Sequence, residues 1–338
     1  MLIRVYSIAD GTLSIEEFRG LSEVTEQTLD RGCWVDIEGF GETDLSNAGE
    51  RLQLDPLTIE DISTGKQRIK VEEYPGYVYA VCKGVSGTDE QKFNYSVDEI
   101  SLILKQSLVV TFQSGKSEII SRAVKAIKNR VSTIKDSSIL STMAMHLIYD
   151  YSVDSFYDAL SNIESWLIST GDEAIDVNSM KASDLQGLKG IMGIITKAKR
   201  EMSELRTMLT QHRDVMSLAE RGSIRYVSVD MMAQFRDVYD HTFQLIETLD
   251  SYMLRTSDIR DLYFTLRAAF TDNVLRLLTI VATIFLPLSF LTGFYGMNFT
   301  TGFDQPGSSS SYGFYALTAG MIVLSTILFI TFRKKGWT

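Results

Sequence analysis

Proline, cysteine, histidine and positive charge are all scarce in this 338-residue chain: 4 Pro, 2 Cys, 3 His, and 33 basic against 43 acidic residues, for a net charge of −10. Two cysteines cannot make a disulfide framework. Cys33 and Cys82 lie in the apolar, strand-like contexts CWVDI and YVYAVCKGV, and are expected to be buried small hydrophobes in a reducing compartment. No pair of Cys or His stands at ligand spacing, which argues against a structural zinc site. The acidic balance, with an isoelectric point near 5.0, excludes a dedicated nucleic-acid partner, because phosphate neutralisation needs a basic face. Composition also excludes collagen-like, disordered and disulfide-stapled classes. The N-terminal MLIRVYSIADG lacks a continuous apolar core, so no signal peptide is expected. Catalytic groupings are missing as well. Gly39-Phe40-Gly41 lacks the third glycine of a nucleotide loop, and no nucleophile–base–acid set has local support, so an enzyme is not expected.

What the chain does have is hydrophobicity concentrated at one end. Mean hydropathy is only +0.02, yet Leu277–Gly296 runs twenty residues and Tyr312–Phe332 twenty-one without a charge. Each matches the roughly 20 residues needed to cross a hydrocarbon core. From Val274 onward the charged residues are Arg276, Asp304, Arg333, Lys334 and Lys335, a net of +3, which leaves −13 on residues 1–273. A large acidic portion therefore precedes a two-helix membrane anchor.

The first part reads as mixed α/β. Strands are expected at Leu2–Ile8, Trp34–Ile37, Tyr77–Val85 and in EISLIL and LVVTF between Glu99 and Phe112. Helices are expected in DLSNAGERLQL and DPLTIEDI, the latter with Asp55 as N-cap and Pro56 at the first helical position. From Lys116 to Arg221 the pattern turns helical, with a stripe through Met143, Leu147, Tyr151, Asp154, Tyr157, Leu160, Ile163 and Leu167, a break at Gly171–Ser183 and a second helix over Leu185–Arg221. Antiparallel long helices are the natural arrangement. From Tyr226 to Tyr295 no proline intervenes before Pro287 and no glycine before Gly293, which predicts one helix of about 105 Å entering the membrane.

One face of that helix differs from the rest. Steps of three and four give Asp261, Thr265, Ala268, Asp272, Leu275, Thr279, Ala282, Leu286, Ser289 and Gly293, a seam of small and polar residues with a few leucines. Such a seam serves either close helix packing in lipid or several copies surrounding a water-filled path.

After this span come Tyr295-Gly296-Met297-Asn298, a polar loop, the second span and Arg333-Lys334-Lys335-Gly336-Trp337. This arrangement resembles the CorA family of magnesium channels. The segments DPLTIEDI, QRIKVEEYPGYVYAV, EISLILKQSLVVTFQ, FRDVYDHTFQLIETLDSY and LLTIVATIFLPLSFLTGFYGMNF resemble family segments in family order. The loop FTTGFDQPGSSSS departs from the family's Met-Pro-Glu-Leu pattern and has Asp304 as its one charge. The zinc-transporting ZntB branch usually has Val where Met297 stands.

The resemblance implies an α+β fold: an N-terminal α/β cytoplasmic domain over 1–115, long helices over 116–225, a stalk continuous with the first span over 226–296, the filter motif and outer loop over 297–311, and the second span with its basic tail over 312–338. It implies a homopentameric funnel in the inner membrane, in contact with lipid, with both termini cytoplasmic; the basic tail fits that orientation. Gly296, Met297 and Asn298 would form the selectivity filter, a ring of amide oxygens accepting hydrogen bonds from the tightly held waters of Mg²⁺. Taken alone, Gly and Asn there also suit a helix terminus, and Asn298-Phe299-Thr300 is a glycosylation sequon. Asp272, Leu275, Leu278, Thr279, Ala282, Leu286, Ser289 and Gly293 would line the pore, with the leucines as its constriction. Asp237 and Asp89 would hold a regulatory Mg²⁺ between subunits, and Arg333, Lys334 and Lys335 would ring the exit. Mg²⁺ is then substrate and regulatory ligand, with Co²⁺ or Ni²⁺ as further passengers, and no cofactor is expected. The alternatives are a proton-coupled Zn²⁺ transporter of the ZntB type and a non-transporting oligomeric scaffold or sensor.

Overall fold

The computed structural model describes residues 1–9, 12–25, 29, 33–89, 94–131, 139–175, 185–296 and 311–337. The chain divides into two compact units, Met1–Arg260 and Asp261–Thr338.

The first unit is built on one seven-stranded sheet. Its strands are β1 (Leu2–Ala9), β2 (Thr12–Phe18), β3 (Cys33–Glu38), β4 (Lys70–Tyr74), β5 (Tyr77–Asp89), β6 (Asn94–Leu104) and β7 (Leu108–Gln113), in the spatial order β2-β1-β3-β7-β6-β5-β4. Only β3 and β7 pair in parallel; the other neighbours are antiparallel. Between and after the strands come α1 (Glu42–Leu52), α2 (Pro56–Thr64), α3 (Glu118–Arg130), α4 (Ile139–Ile175) and α5 (Leu185–Glu220).

The sheet is buried on both faces, and alternation sorts its side chains between two cores. Val78, Ala80 and Cys82 join a core with residues of α3, α4 and α5. Tyr77, Tyr79 and Val81 join the other, with Leu45, Leu52 and Ile62 from α1 and α2. The two cysteines lie in different cores, so a disulfide between them is geometrically excluded. Burial pushes both thiols up to about 12, as expected of inert core residues.

Local signals operate as the sequence predicts. Asp55 caps α2 by accepting from the Leu57 N–H at 2.9 Å, with Pro56 at the first helical position. Helix α4 is riveted to β5 by side chains one turn apart. The Tyr149 hydroxyl donates to the Val81 carbonyl at 3.1 Å, Cys82 Sγ lies 3.0 Å from Ser152 Oγ, and the Val85 N–H donates to Ser155 Oγ at 2.8 Å. A buried network joins β3, β7 and α3: Asp36 accepts from Thr111 at 2.8 Å and from Gln113 Nε2 at 2.8 and 2.9 Å, while Gln113 Oε1 accepts from the Ser117 N–H that starts α3.

The structure differs from the sequence reading at several places. Strands β2 and β4 were not expected; both are edge strands of the sheet, β2 with mostly exposed side chains and β4 with mostly half-buried ones. In α4 the stripe is buried at Met143, Leu147, Leu160, Ile163 and Leu167, but Tyr157 is exposed, and Val153 and Phe156 take the core side instead. Helix α4 also continues through Gly171 to Ile175; the remainder of the expected break falls outside the described residues.

Helix α6 (Met232–Tyr295) is a single 64-residue element, preceded by a short 3₁₀ turn at Val229–Met231, and it contains Pro287. It begins six residues later than the expected Tyr226. The last element is α7 (Ser311–Lys334). Both helices are long and apolar enough to cross a membrane.

Candidate functional site

The second unit contains the apolar part of α6 together with α7. Each carries one partly covered stripe. In α6 this stripe is Ile280, Ile284, Pro287, Leu288 and Leu291; in α7 it is Leu317, Met321, Leu324, Ser325, Leu328 and Phe332. Both repeat at three and four, which is one helix face. The two helices are tied at one end, where the Arg276 guanidinium lies over the Trp337 ring, 5.9 Å from its centroid. The start of the first span thus meets the end of the second, an antiparallel hairpin.

That contact depends on how α7 stops. Gly336 adopts φ +68, a conformation that suits glycine. The Trp337 N–H then donates back to the Phe332 carbonyl at 3.0 Å, a Schellman-type closure. Trp337 stacks on Phe332 with ring centroids 5.7 Å apart. Arg333, Lys334 and Lys335 are exposed within this last turn, where positive charge also complements the negative end of the helix dipole.

The sequence-derived seam lies on the other side of α6. Asp272, Leu275, Leu278, Thr279, Leu286, Ser289 and Gly293 are exposed, and Ala282 is half-buried. At 3.6 residues per turn, Leu275, Thr279, Leu286, Ser289 and Gly293 lie roughly opposite the Ile280–Leu291 stripe. Leu286 is 68% exposed and Leu275 54%, so the second span does not cover this face.

Hydrogen bonding fixes what the polar members of the seam can offer. Thr279 Oγ1 donates to the Leu275 carbonyl at 2.8 Å and Thr265 Oγ1 to the Asp261 carbonyl at 2.9 Å. With its proton committed to the helix, such a hydroxyl presents acceptor lone pairs outward. Waters bound to a cation point their hydrogens outward, so an acceptor-only surface complements a hydrated cation and not a hydrated anion.

At its far end α6 closes through the Gly296 N–H, which donates to the Thr292 carbonyl at 3.0 Å. A Cβ on Gly296 would stand 3.1 Å from that same oxygen, so a side chain here would crowd the closing turn. The negative end of the helix dipole lies at this turn, which favours a cation by roughly 0.3–1 kcal/mol per helix. Met297 and Asn298 lie outside the described residues.

The expected regulatory pair is only partly visible. Asp237 is exposed on α6, with His241 Nε2 3.8 Å from its Oδ1 one turn along. It faces Asp150 of α4, whose carboxyl is pushed up to about 6 by burial and then by Asp154, with Asp237 adding to the rise. Asp89 is the last residue of β5 and pairs in register with Asn94; its side chain lies outside the described residues. Among the described residues no group of three or more His, Cys, Asp or Glu is placed to hold a metal ion.

Comparison with known proteins follows this geometry. Residues 30–334 match the family model described as CorA-like Mg²⁺ transporter protein. The cobalt/magnesium transport protein CorA of Thermotoga maritima is 30% identical over 331 residues, covering 96% of this chain and 90% of that protein. The complete structure of the CorA magnesium transporter from Methanocaldococcus jannaschii superposes with a TM-score of 0.80 at 20% identity, covering 100% of this chain and 99% of that one. The zinc transport protein ZntB of Pectobacterium carotovorum is 24% identical over 185 residues, 51% of this chain and 56% of that protein.

Proposed function

Since this chain belongs to the CorA-like family of Mg²⁺ transporters, we propose that it assembles as a homopentamer in the inner membrane and conducts hydrated Mg²⁺ inward along a path lined by the α6 seam. The observation that carries this reading is the uncovered seam. A face with Thr279 and Ser289 at membrane depth, in line with Asp272 and turned away from the other span, offers polar oxygen along one stripe and suits a water-filled interior.

The mechanism follows from ion chemistry. Mg²⁺ gives up its waters reluctantly, so recognition through them avoids a large dehydration barrier. Five Asn298 carbonyls at the outer end would accept from those waters without the deep trap a carboxylate ring would make. Gly296 allows the tight closing turn before the filter. Further in, Thr279 continues the acceptor surface and Ser289 adds a hydroxyl, while Leu275, Leu278 and Leu286 form a constriction that closes by dewetting. Ala282 and Gly293 leave room between them. Asp272 gathers cations at the inner end. Both termini are cytoplasmic, and Arg333, Lys334 and Lys335 surround the exit. Two charges moving into a negative interior gain about 4.6 kcal/mol per 100 mV, so neither a nucleotide nor any bond-breaking step is required.

Gating follows cytoplasmic Mg²⁺. An ion between Asp237 and a neighbour's Asp89 holds subunits together, and its loss leaves carboxylates that repel one another. Co²⁺ and Ni²⁺, similar in size and also octahedral, are further passengers.

The test is ion uptake into liposomes carrying the full chain, beside Asn298→Ala. Mg²⁺ uptake that follows an imposed voltage and is lost in the variant is the expected result. Zn²⁺ uptake that follows a proton gradient would assign the chain to the ZntB mode of transport. No flux from folded, oligomeric protein would leave a scaffold or sensor.

A further inference from the structure

The first unit contains a cleft of about 710 Å³ between the segment entering β4, the β5–β6 hairpin and α5, within the usual range for small-molecule sites. Its charge runs against that of the unit around it. Lys66, Arg68, Lys83 and Arg200 line it, with Glu204 as the only carboxylate among the described residues of the lining, in a region where residues 1–273 carry −13. Some basic side chains of this unit are held by acids: Lys70 bonds Asp61 and Glu72, and Arg206 bonds Asp250. Lys66 and Arg68 have no such partner among the described residues.

The backbone explains their direction. The Gln67 N–H donates to Glu99 at 3.3 Å and the Ile69 N–H donates to Gln211 at 3.1 Å. This fixes alternate residues of an extended segment to β6 and α5, and leaves Lys66 and Arg68 exposed between them. Lys83, half-buried, is held at 3.0 Å by Glu99. Arg200 is 78% exposed and meets Glu204 one turn away at 3.3 Å, a surface pair weak enough to yield to a stronger anion. Beside the polar Ser203 and Thr207, the lining also has an apolar and aromatic part: Val97, Met208 and the half-buried Tyr95, whose hydroxyl is anchored to the Glu201 carbonyl at 3.4 Å.

We propose that this cleft binds a nucleoside polyphosphate in its metal-free form, with the phosphates on Lys66, Arg68 and Arg200 and the base against Tyr95 and Met208. Convergent cations recognise phosphate oxygens through charge-assisted hydrogen bonds, and an aromatic face beside a methionine suits a flat base. The preference for the metal-free form follows from charge. A bound Mg²⁺ cancels about half the charge of a triphosphate, and among the described residues Glu204 is the single carboxylate of the lining, with no group of three or more His, Cys, Asp or Glu placed to share the ion.

The test is calorimetric titration of the full-length protein in detergent with ATP in EDTA, then with excess Mg²⁺, and separately with pyrophosphate and with adenosine. The variants are the double substitution Lys66→Glu with Arg68→Glu, and Lys125→Glu, an exposed lysine of α3 outside the cleft, as control. Saturable ATP binding is expected, weakened at least about tenfold by Mg²⁺ and by the double substitution, unchanged by Lys125→Glu, and tighter than for pyrophosphate or adenosine. ATP binding that survives the double substitution, or no binding in EDTA, would overturn the proposal. Equal affinity for pyrophosphate would remove the nucleotide assignment, and equal or tighter binding with Mg²⁺ would remove the metal-free preference.

Discussion

Replacing Thr279 by Val removes one hydroxyl per subunit at nearly constant volume, at a position exposed on the seam of α6. In the wild type that hydroxyl spends its proton on the Leu275 carbonyl at 2.8 Å and offers lone pairs to the proposed path. A net hydrogen bond contributes about 1 kcal/mol. A hydrated ion that loses two such acceptors faces a barrier higher by about 2 kcal/mol, which slows flux roughly 30-fold. The methyl that replaces the oxygen also favours dewetting and acts in the same direction. The assay is voltage-driven Mg²⁺ uptake in liposomes, with Thr279→Ser expected to retain most of the flux. Thr326→Val is the matched control, because Thr326 makes the same bond, to the Ile322 carbonyl at 2.8 Å, on an exposed face of α7. If Thr279→Val conducts within twofold of wild type, the hydroxyl is not on the conduction path and the seam argument fails.

Two further predictions concern the first unit. Gln113→Leu strips two hydrogen bonds from the fully buried Asp36 and one partner from the Ser117 N–H, and is expected to cost about 3 kcal/mol at pH 7.5 by urea unfolding. Burial holds the Asp36 carboxyl up at about 6, against about 3.9 in an unfolded chain. Between these values the folded state binds a proton that the unfolded state does not. The site's own contribution therefore improves as pH falls through 6 toward 4, and the penalty of Gln113→Leu shrinks at pH 5; a penalty that grows on acidification would contradict this. Gly84→Ala would place a Cβ 2.3 Å from Ile119 Cδ1 and 3.0 Å from Ser155 Oγ, and the forced shift between β5, α3 and α4 is expected to destabilise by about 1 kcal/mol in the same assay.

How much was legible in the sequence depended on whether a residue's surroundings impose a pattern. Strands β1, β3, β5, β6 and β7 announced themselves because buried strands must be rich in Val, Ile, Leu and aromatic residues. Strands β2 (TLSIEEF) and β4 (KVEEY) stand at the sheet edges, where one neighbour suffices and glutamates are tolerated, so their partners and not their own residues identify them. Tyr157 was misplaced for a geometric reason. Steps of three from Tyr151 through Asp154 turn about 60° short of a full circle each, and two in succession leave the buried face. The seam was readable because small and polar residues at heptad spacing are unusual in an apolar span. The Arg276–Trp337 contact was not, because it depends on the Gly336 turn. The cationic cleft also escaped notice: Lys66, Arg68, Lys83 and Arg200 are scattered in sequence and meet only through the β5–β6 hairpin and α5.

The central claim, that the seam faces water inside the membrane, is tested most directly by cysteine accessibility along α6. The native background is quiet, since Cys33 and Cys82 are buried with thiols pushed up to about 12. Single cysteines would replace Leu275, Thr279, Ala282, Leu286, Ser289 and Gly293 on one face, and Ile280, Ile284 and Leu291 on the other, each probed with a charged, membrane-impermeant thiol reagent in liposomes. The account predicts modification of the first set, slowed by Mg²⁺, and silence from the second. Reactivity concentrated on the Ile280 face, or absent throughout, would contradict it.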